Sequence, residues 1–584
     1  MRPRASSVDM PTHRPSALSN DTVRTGVLRA AIGLALWALW VAVTGGVVIR
    51  LPWATISSRA AWRPLVGALV LWALYLARYR QALATDAATL ATVRWAKGIA
   101  IVTMLAAFLV GVGYSSFFAA GPDSSGYISE AHKWMQGELR SPIPAWVARA
   151  GWAGARAAGA PVGYTVDAHA QSYVPVYSPG LPLIMSMFEW VGGASAVFYV
   201  VPFFGALLVW FTYLLGRQLG GEWSGAIAAT LLFCSPAFLW WLIQLMSDVP
   251  VAACWTASLV LAARAGGTAD ALFSGLAAGI AILIRPNLVP LAAFPALLLL
   301  LSGSRARARV AVFAAAAAPA AFLIAIINAR WYGSPLASGY GSLGALYALG
   351  RAPLNVRRYG GWLLDTQTPL IILWIAAPWA SEAYDARRRV VLLLVYPFAV
   401  MALYLAYLNF DLWTYLRFLL PAYPVMLAGL AAVLAGFVRE LRPSRLAVAG
   451  VAIVIVSLVL HQLRFASSVG TFSEAQGETR FARAVDFART LPPESIFISD
   501  AYSGTLHFYT GRDVLRWLMI PADGFDVALA DLKAQGHRLY FFGDPFEVDA
   551  FKEYLGRSDA AARFDAHVLP LAGETFVASE LTPP

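Results

Sequence analysis

Asp123 stands just past the third long apolar run of this 584-residue chain, in the stretch Gly121-Pro-Asp-Ser-Ser-Gly-Tyr127. A carboxylate at a membrane boundary is costly to keep, which raises its prior for chemistry. Two roles fit it. It can cap the helix that follows, its oxygens accepting from free amides of the first turn. It can also serve as a base at the mouth of a membrane cavity. The roles are compatible, because a capped carboxylate stays ionised beside the helix dipole. Tyr127, Ile128, Ala131, Trp134, Met135 and Leu139 recur at helical spacing on one face, the pattern of an amphipathic helix lying in the interface.

Further candidates follow along the chain. Tyr173 and Tyr177 precede Ser-Pro-Gly-Leu-Pro, where proline and glycine break the chain as it re-enters an apolar run. Such aromatics either anchor the interface or stack on a sugar ring. Asp248 precedes Pro250 between two apolar runs and reads equally as a cap for a helix starting at Val249 or as a site residue. Arg285 interrupts an otherwise apolar stretch, which fits either snorkelling to the interface or a role as a site cation. Arg357 and Arg358 lie in a long connection, and Lys133 sits on the amphipathic helix. Asp167 and His169 form a lone Asp-x-His, expected to be solvent-exposed, and Glu130, Glu138 and Asp365 read as solvated loop charges. Cys234 and Cys254 both fall in apolar runs without a neighbouring His, so neither a thiol-ligated metal nor a disulfide framework is implied.

The elements that must hold these residues are set by composition. The chain is 59% hydrophobic and only 13% charged, against about 25% charged in ordinary soluble domains. An ordinary cytosolic enzyme, a disordered scaffold and a small disulfide-stapled domain are excluded. Charge-free stretches give thirteen candidate spans, near 30–49, 64–77, 98–118, 192–215, 224–242, 249–263, 271–284, 286–304, 310–328, 366–381, 390–408, 418–438 and 446–463. The first is followed by Arg50 instead of a small-residue cleavage site, so it reads as a retained helix.

Arginine fixes the orientation. With the N-terminus and Arg2, Arg4, Arg14, Arg24 and Arg29 inside, the alternate loops carry Arg78 to Lys97, Arg217, Arg264, Arg305 to Arg309, Arg387 to Arg389, and Arg439, Arg442 and Arg445. Every strongly basic cluster then faces one side. The outer face holds the long connections 119–191 and 329–365, and with them Asp123, Asp248 and Arg285. The net charge of +11 therefore belongs to cytoplasmic loops and does not imply nucleic acid. From 465 onward the balance reverses to 10 Lys/Arg against 17 Asp/Glu. This polar tail alternates expected helices (481–491, 527–535, 548–555) with expected strands (495–499, 538–542), the mark of a small α/β domain. No phosphate-binding glycine motif follows its strands.

In order and spacing, Asp123 with Tyr127, Ala131 and Gly137, followed by Tyr177-Ser-Pro-Gly-Leu-Pro-Leu, resembles the first outer loop of C-type-fold (GT-C) glycosyltransferases. These polytopic enzymes use polyprenyl-phosphate-linked sugars, and protein O-mannosyltransferases and the lipid A aminoarabinose transferase are the relatives in view. Ser235-Pro236 with Met246-Ser-Asp248-Val-Pro250 is similar to a second region of the family, and Ile284-Arg285-Pro286-Asn287 to a third. The resemblance spans about residues 97–440. It implies that Asp123 takes the acceptor's proton, that the acceptor hydroxyl attacks the anomeric carbon, and that polyprenyl phosphate leaves with inversion. It also implies a cation facing the leaving phosphate. Arg285 is the first candidate, with Arg357 and Arg358 behind it, while Asp248, Tyr127 and Tyr177 would contact substrate. The chain departs from the pattern by two extra spans ahead of the loop and by having no acidic residue adjacent to Asp123. No cofactor is certain, and a divalent cation would lack a clear ligand set.

The expectation is a polytopic α-helical membrane protein with a C-terminal α/β domain. It divides into a cytoplasmic tail (1–26), two extra helices (27–96), a catalytic membrane domain (97–464) and an external domain (465–584). It would work in a bacterial inner membrane, passing a sugar to a lipid, glycan or protein acceptor on the outer face. The competing expectation is a transporter or lipid flippase, which would show paired broken helices at the midplane; a third is a structural membrane component in which Asp123 is only a cap.

Overall fold

The computed structural model describes residues 20–51, 54–82, 93–264, 267–301, 303, 305–341, 343–380, 384–440, 445–556 and 576–581. Arg2, Arg4, Arg14 and Arg442 lie outside the described residues. Two compact units emerge, Met1–Trp95 and Ala96–Pro584.

The first unit holds the helices Asn20–Thr44 and Trp62–Tyr79, joined by an antiparallel hairpin of Val47–Leu51 and Ala54–Ser58. The apolar run expected as one span over 30–49 therefore stops early. Gly45 and Gly46 take φ of 78° and 85°, a left-handed backbone that ends a helix. The β-branched Val47-Val48-Ile49 then suits a strand.

In the second unit every remaining expected span falls on a helix, but the helices are unequal. Among the described residues seven helices have the length and apolarity to cross a membrane: Val23–Ala42, Trp95–Tyr114, Ala194–Gly220, Ala306–Tyr332, Arg387–Leu405, Trp413–Glu440 and Leu446–Ser468. The pair Glu222–Cys234 and Pro236–Leu242 would be an eighth, bent by 62°. The bend follows from sequence: Ser235 is extended ahead of Pro236, as the residue before a proline prefers. Thr268–Ile284, Pro286–Leu300 and Pro369–Ala380 are apolar but shorter.

The long first connection folds around the Gly121–Gln136 helix and a three-stranded antiparallel sheet of Ser141–Pro142, Ser172–Pro175 and Tyr164–Val166, with Ser172–Pro175 in the middle. The C-terminal segment builds a four-stranded sheet. Val514–Leu515, Ser495–Ile498 and Arg538–Gly543 run parallel, and Val577–Leu581 adds antiparallel at the edge. Alternate residues of Ser495–Ile498 face opposite layers, as strand geometry requires. Ile496 and Ile498 pack with Trp517, Phe541 and Phe551, together with Trp146, Val147 and Ala158 from the first connection. Phe497 packs with Phe481, Tyr502 and Phe542, together with Ala120. The tail thus shares both of its cores with the loop that carries Asp123. At the carboxyl ends of the parallel strands, where open α/β sheets commonly take ligands, the tail's own Glu547 accepts from Ser499 Oγ at 3.1 Å and Trp517 Nε1 at 3.0 Å.

Candidate active site

Asp123 lies inside the first turn of the Gly121–Gln136 helix, whose N-cap is Ala120. It is therefore not the cap, and its carboxylate is free to face outward from the turn. Oδ1 accepts a hydrogen bond from Tyr177 Oη at 2.8 Å. Oδ2 faces Arg417 Nη1 at 3.6 Å. The side chain stays 40% exposed, so the carboxylate is oriented from behind and open in front.

Glycine makes this arrangement possible. A Cβ on Gly126 would fall 2.2 Å from the Tyr177 ring and 3.0 Å from Gly163 Cα. Only a bare backbone lets Tyr177 lie across the helix and reach Asp123. Tyr127, one turn on, stacks against Tyr177 with ring centroids 4.4 Å apart. Burial first, and then the charge of Asp123, hold both phenols well above the ordinary tyrosine range. Both are neutral donors at physiological pH.

The second half of the site comes from the next two motifs. Asp248 begins the Asp248–Arg264 helix, and its fully buried carboxylate receives Arg285 Nη2 at 2.6 Å. Arg285 Nε donates to Ser247 Oγ at 3.1 Å, and Tyr127 Oη donates to the same hydroxyl at 3.1 Å. Arg285 is therefore turned into the protein and does not snorkel, and Asp248 is its counter-ion, not a helix cap. The Ser-Pro-Gly and Ile-Arg-Pro-Asn motifs meet here. A Cβ on Gly180 would fall 2.3 Å from Ile284 N, so Gly180 lets the Gly180–Gly192 helix seat directly against the backbone that presents Arg285.

Two guanidiniums converge on one ring. Arg285 lies 5.6 Å and Arg417 lies 5.1 Å from the Phe418 centroid, and Arg417 also sits 4.9 Å from Trp241. Arg285 Nη1 and Arg417 Nε are buried donors without a hydrogen-bond partner. Two like charges with unused donors beside an apolar wall are suited to an anion. Asn287 extends the rim through Tyr404 Oη at 3.2 Å.

Of the residues expected from sequence, Asp123, Tyr127, Tyr177, Asp248 and Arg285 come together. Arg358 instead binds Asn409 Oδ1 at 3.1 Å and Asp411 at 3.5 Å, tying the Ala352–Gln367 helix to the segment before Trp413. Arg357 is exposed on that helix. Asp167 is buried, not solvated: it accepts from Arg140 and from Gln171 N at 2.8 Å, closing the turn between two strands. Its neighbour His169 is exposed. Glu130 is also fully buried, beside Trp134 on its own helix, Tyr164 of the three-stranded sheet and Tyr332 at the end of the Ala306–Tyr332 helix. Arg417, Ser247 and Tyr340, which packs edge-on to Tyr177 at 5.9 Å, were not anticipated. Among the described residues no group of three His, Cys, Asp or Glu could hold a metal. Asp123 and Asp248 each already face a guanidinium, which is not the donor set of a hard divalent cation.

Comparison with known proteins now bears on this geometry. Residues 175–332 match the family described as dolichyl-phosphate-mannose-protein mannosyltransferase. A search of curated proteins finds no match. ArnT from Cupriavidus metallidurans, solved bound to undecaprenyl phosphate, superposes with a TM-score of 0.51 at 14% identity, over 84% of this chain and 99% of that one. The oligosaccharyltransferase of Archaeoglobus fulgidus in the apo form gives 0.51 at 11% identity, over 77% of this chain and 69% of that one. The same archaeal enzyme, AglB, in complex with an inhibitory peptide and a dolichol-phosphate gives 0.50 at 13% identity, over 82% and 74%. The chain has the fold of the GT-C glycosyltransferases, and residues 175–332, which run from the Tyr177 motif through Arg285, carry the pattern of the dolichyl-phosphate-mannose-protein mannosyltransferase family.

Proposed function

We propose that the protein is an integral-membrane glycosyltransferase that moves a sugar from a polyprenyl-phosphate donor to a lipid, glycan or protein acceptor, with inversion. The observation that carries this reading is the pairing of an open, oriented carboxylate with two converging guanidiniums. Asp123 is held by Tyr177 at 2.8 Å, while Arg285 and Arg417 offer unpartnered donors beside Phe418. The donor class is supported by the lipid phosphates bound to ArnT and AglB.

In this reading Asp123 accepts the proton of the acceptor hydroxyl as its oxygen bonds to the anomeric carbon. The bond from that carbon to the phosphate oxygen breaks on the opposite face, and the electron pair leaves with the polyprenyl phosphate. Arg285 and Arg417 stabilise the charge that develops there, in a partly water-excluded setting where fixed donors act strongly. Tyr177 holds Asp123 and Tyr127 holds Ser247, so the two phenols set the wall beside which the sugar would lie. Asp248 keeps Arg285 in place. In this reading the site faces the outer side of a bacterial inner membrane, where lipid-linked sugars are available and nucleotide sugars are not; the arginine distribution supports that orientation. A transporter would be expected to pair broken helices across a repeat. One bent pair, at Ser235-Pro236, occurs among the described residues.

The test is transfer by purified protein from a panel of polyprenyl-phosphate sugars to membrane acceptors, followed by mass spectrometry. Wild-type transfer that is lost in a folded Asp123→Asn supports the enzyme and its base together. Transfer unaffected by Asp123→Asn removes Asp123 from the chemistry.

A further inference from the structure

The C-terminal segment reaches the base-bearing helix through one residue's backbone. Ala119, fully buried, lies two positions ahead of the Gly121–Gln136 helix. Its N–H donates to Tyr509 Oη at 2.9 Å, and its C=O accepts from Thr505 Oγ1 at 3.1 Å. Both partners belong to the Ser503–Thr510 helix, almost four hundred positions away in the chain. Phe118 stacks on the Tyr509 ring at 4.3 Å. Phe117 sits at φ 52°, a left-handed backbone that a non-glycine residue keeps only when its surroundings impose it.

The same helix touches the other end of the first turn. A Cβ on Gly504 would fall 2.5 Å from Ser125 Oγ and 2.7 Å from Val162 O. Ser503 Oγ accepts from Val162 N at 3.2 Å. Ser125 Oγ, in turn, donates to Gly121 O at 2.8 Å. Asp123 lies between residues 119 and 125, so its turn is gripped on both sides by one helix of the C-terminal segment. The partners of Arg285 lie on other elements, at Ser247 and Asp248.

We propose that Thr505 and Tyr509 are positioning residues for Asp123: by satisfying both backbone polar groups of Ala119 they fix the turn that aims the carboxylate at the acceptor. The proposal rests on the reading of Asp123 as the base. Positioning of this kind acts on the transfer step, because small misplacement of a reacting group costs rate steeply. It touches neither direct partner of Arg285, Ser247 and Asp248. A buried backbone N–H and C=O stripped of partners must find water or move, so the turn would lose its fixed aim without loss of the sheet's own cores.

Thr505→Val and Tyr509→Phe remove the two hydroxyls with little change in volume, and Thr505→Ser keeps one of them. Three quantities are measured in each variant: kcat for transfer, affinity for the polyprenyl phosphate product, and hydrogen–deuterium exchange over residues 115–126. The expected result for the double variant is at least a tenfold loss in kcat, unchanged affinity and faster exchange in that segment, with kcat restored in Thr505→Ser relative to Thr505→Val. Unchanged kcat in the double variant would overturn the proposal, even with faster exchange. So would affinity falling in parallel with kcat, or a Thr505→Ser as slow as Thr505→Val. If the double variant does not fold, the single Tyr509→Phe carries the same three measurements. Asp123→Asn run alongside separates the two levels, since its full activity would remove the base reading without touching the exchange result.

Discussion

Replacing Glu130 with glutamine should stabilise the protein at neutral pH and flatten its response to pH. Glu130 is 0% exposed. Its Oε1 accepts one long bond from Trp134 Nε1, at 3.2 Å, and Oε2 has no partner. The phenols of Tyr164 and Tyr332 are the titratable groups whose own ionisation its charge opposes, and no cation pairs with it among the described residues. Burial therefore pushes the carboxyl from 4.5 up to about 8, and the native protein keeps it protonated at pH 7. The unfolded chain ionises it from pH 4.5 upward. Stability associated with this group is thus fully present below pH 4.5, falls as pH rises towards 8, and is flat above. Each pH unit in that window withdraws about 1.4 kcal/mol, so by pH 7 the loss is about 3 kcal/mol. At roughly 0.8 °C per kcal/mol for a chain of this size, Glu130→Gln should raise the thermal midpoint in detergent by about 2 °C at pH 7 and by little at pH 5. The assay is thermal unfolding of both proteins between pH 5 and pH 9. Parallel profiles with a constant offset would refute the reasoning, because they would mean that the carboxyl titrates in its ordinary range.

Other substitutions address the site itself. Gly126→Ala should drive Tyr177 off Asp123, lowering transfer at least tenfold in a kcat measurement, with an overpacking cost of about 1–3 kcal/mol read by unfolding. Asp248→Asn strands Arg285 and should destabilise by about 3–5 kcal/mol, whereas Asp248→Asn with Arg285→Gln should recover part of that stability in the same unfolding assay while transfer stays lost. Gly180→Ala pushes on the backbone that presents Arg285 and should weaken binding of polyprenyl phosphate, measured directly by titration, more than it changes the turnover of bound donor.

The helical stretches were legible because apolarity over a bilayer's thickness is a strong and local signal. Their interruptions were less so. Gly45-Gly46 turns one run into a hairpin, and Ser235-Pro236 bends another by 62°. Both pairs were visible as residues but were outweighed by the hydropathy around them. Asp123, Tyr177, Asp248 and Arg285 were found because each breaks a local pattern at an apolar boundary. Glu130 was misjudged for the complementary reason. Its neighbours Ile128 and Ala131 announce one buried face, but Glu130 lies beside Tyr164 and Tyr332, which come from elements further along the chain, and nothing near Glu130 in sequence hints at them. Arg417 did leave a signal. It is the lone charge in the apolar stretch from Leu412 to Val438, so a positive charge there had to have a specific partner.

The glycines explain why separate motifs form one site. Gly126 admits Tyr177 to the helix that carries Asp123, and Gly180 admits a second helix to the backbone ahead of Arg285. Neither carries a side chain. Each sets how closely two backbones approach, and hence how far apart Asp123 and Arg285 are held. Tyr127 then links the halves: its ring stacks on the tyrosine that orients Asp123, and its hydroxyl meets the serine that orients Arg285. Arg417 is a second link, facing Asp123 and sharing the Phe418 ring with Arg285. Tyr127→Phe keeps the stack and removes the hydroxyl, so it should spare Asp123 and loosen Arg285, which makes the two halves separable by a single oxygen atom.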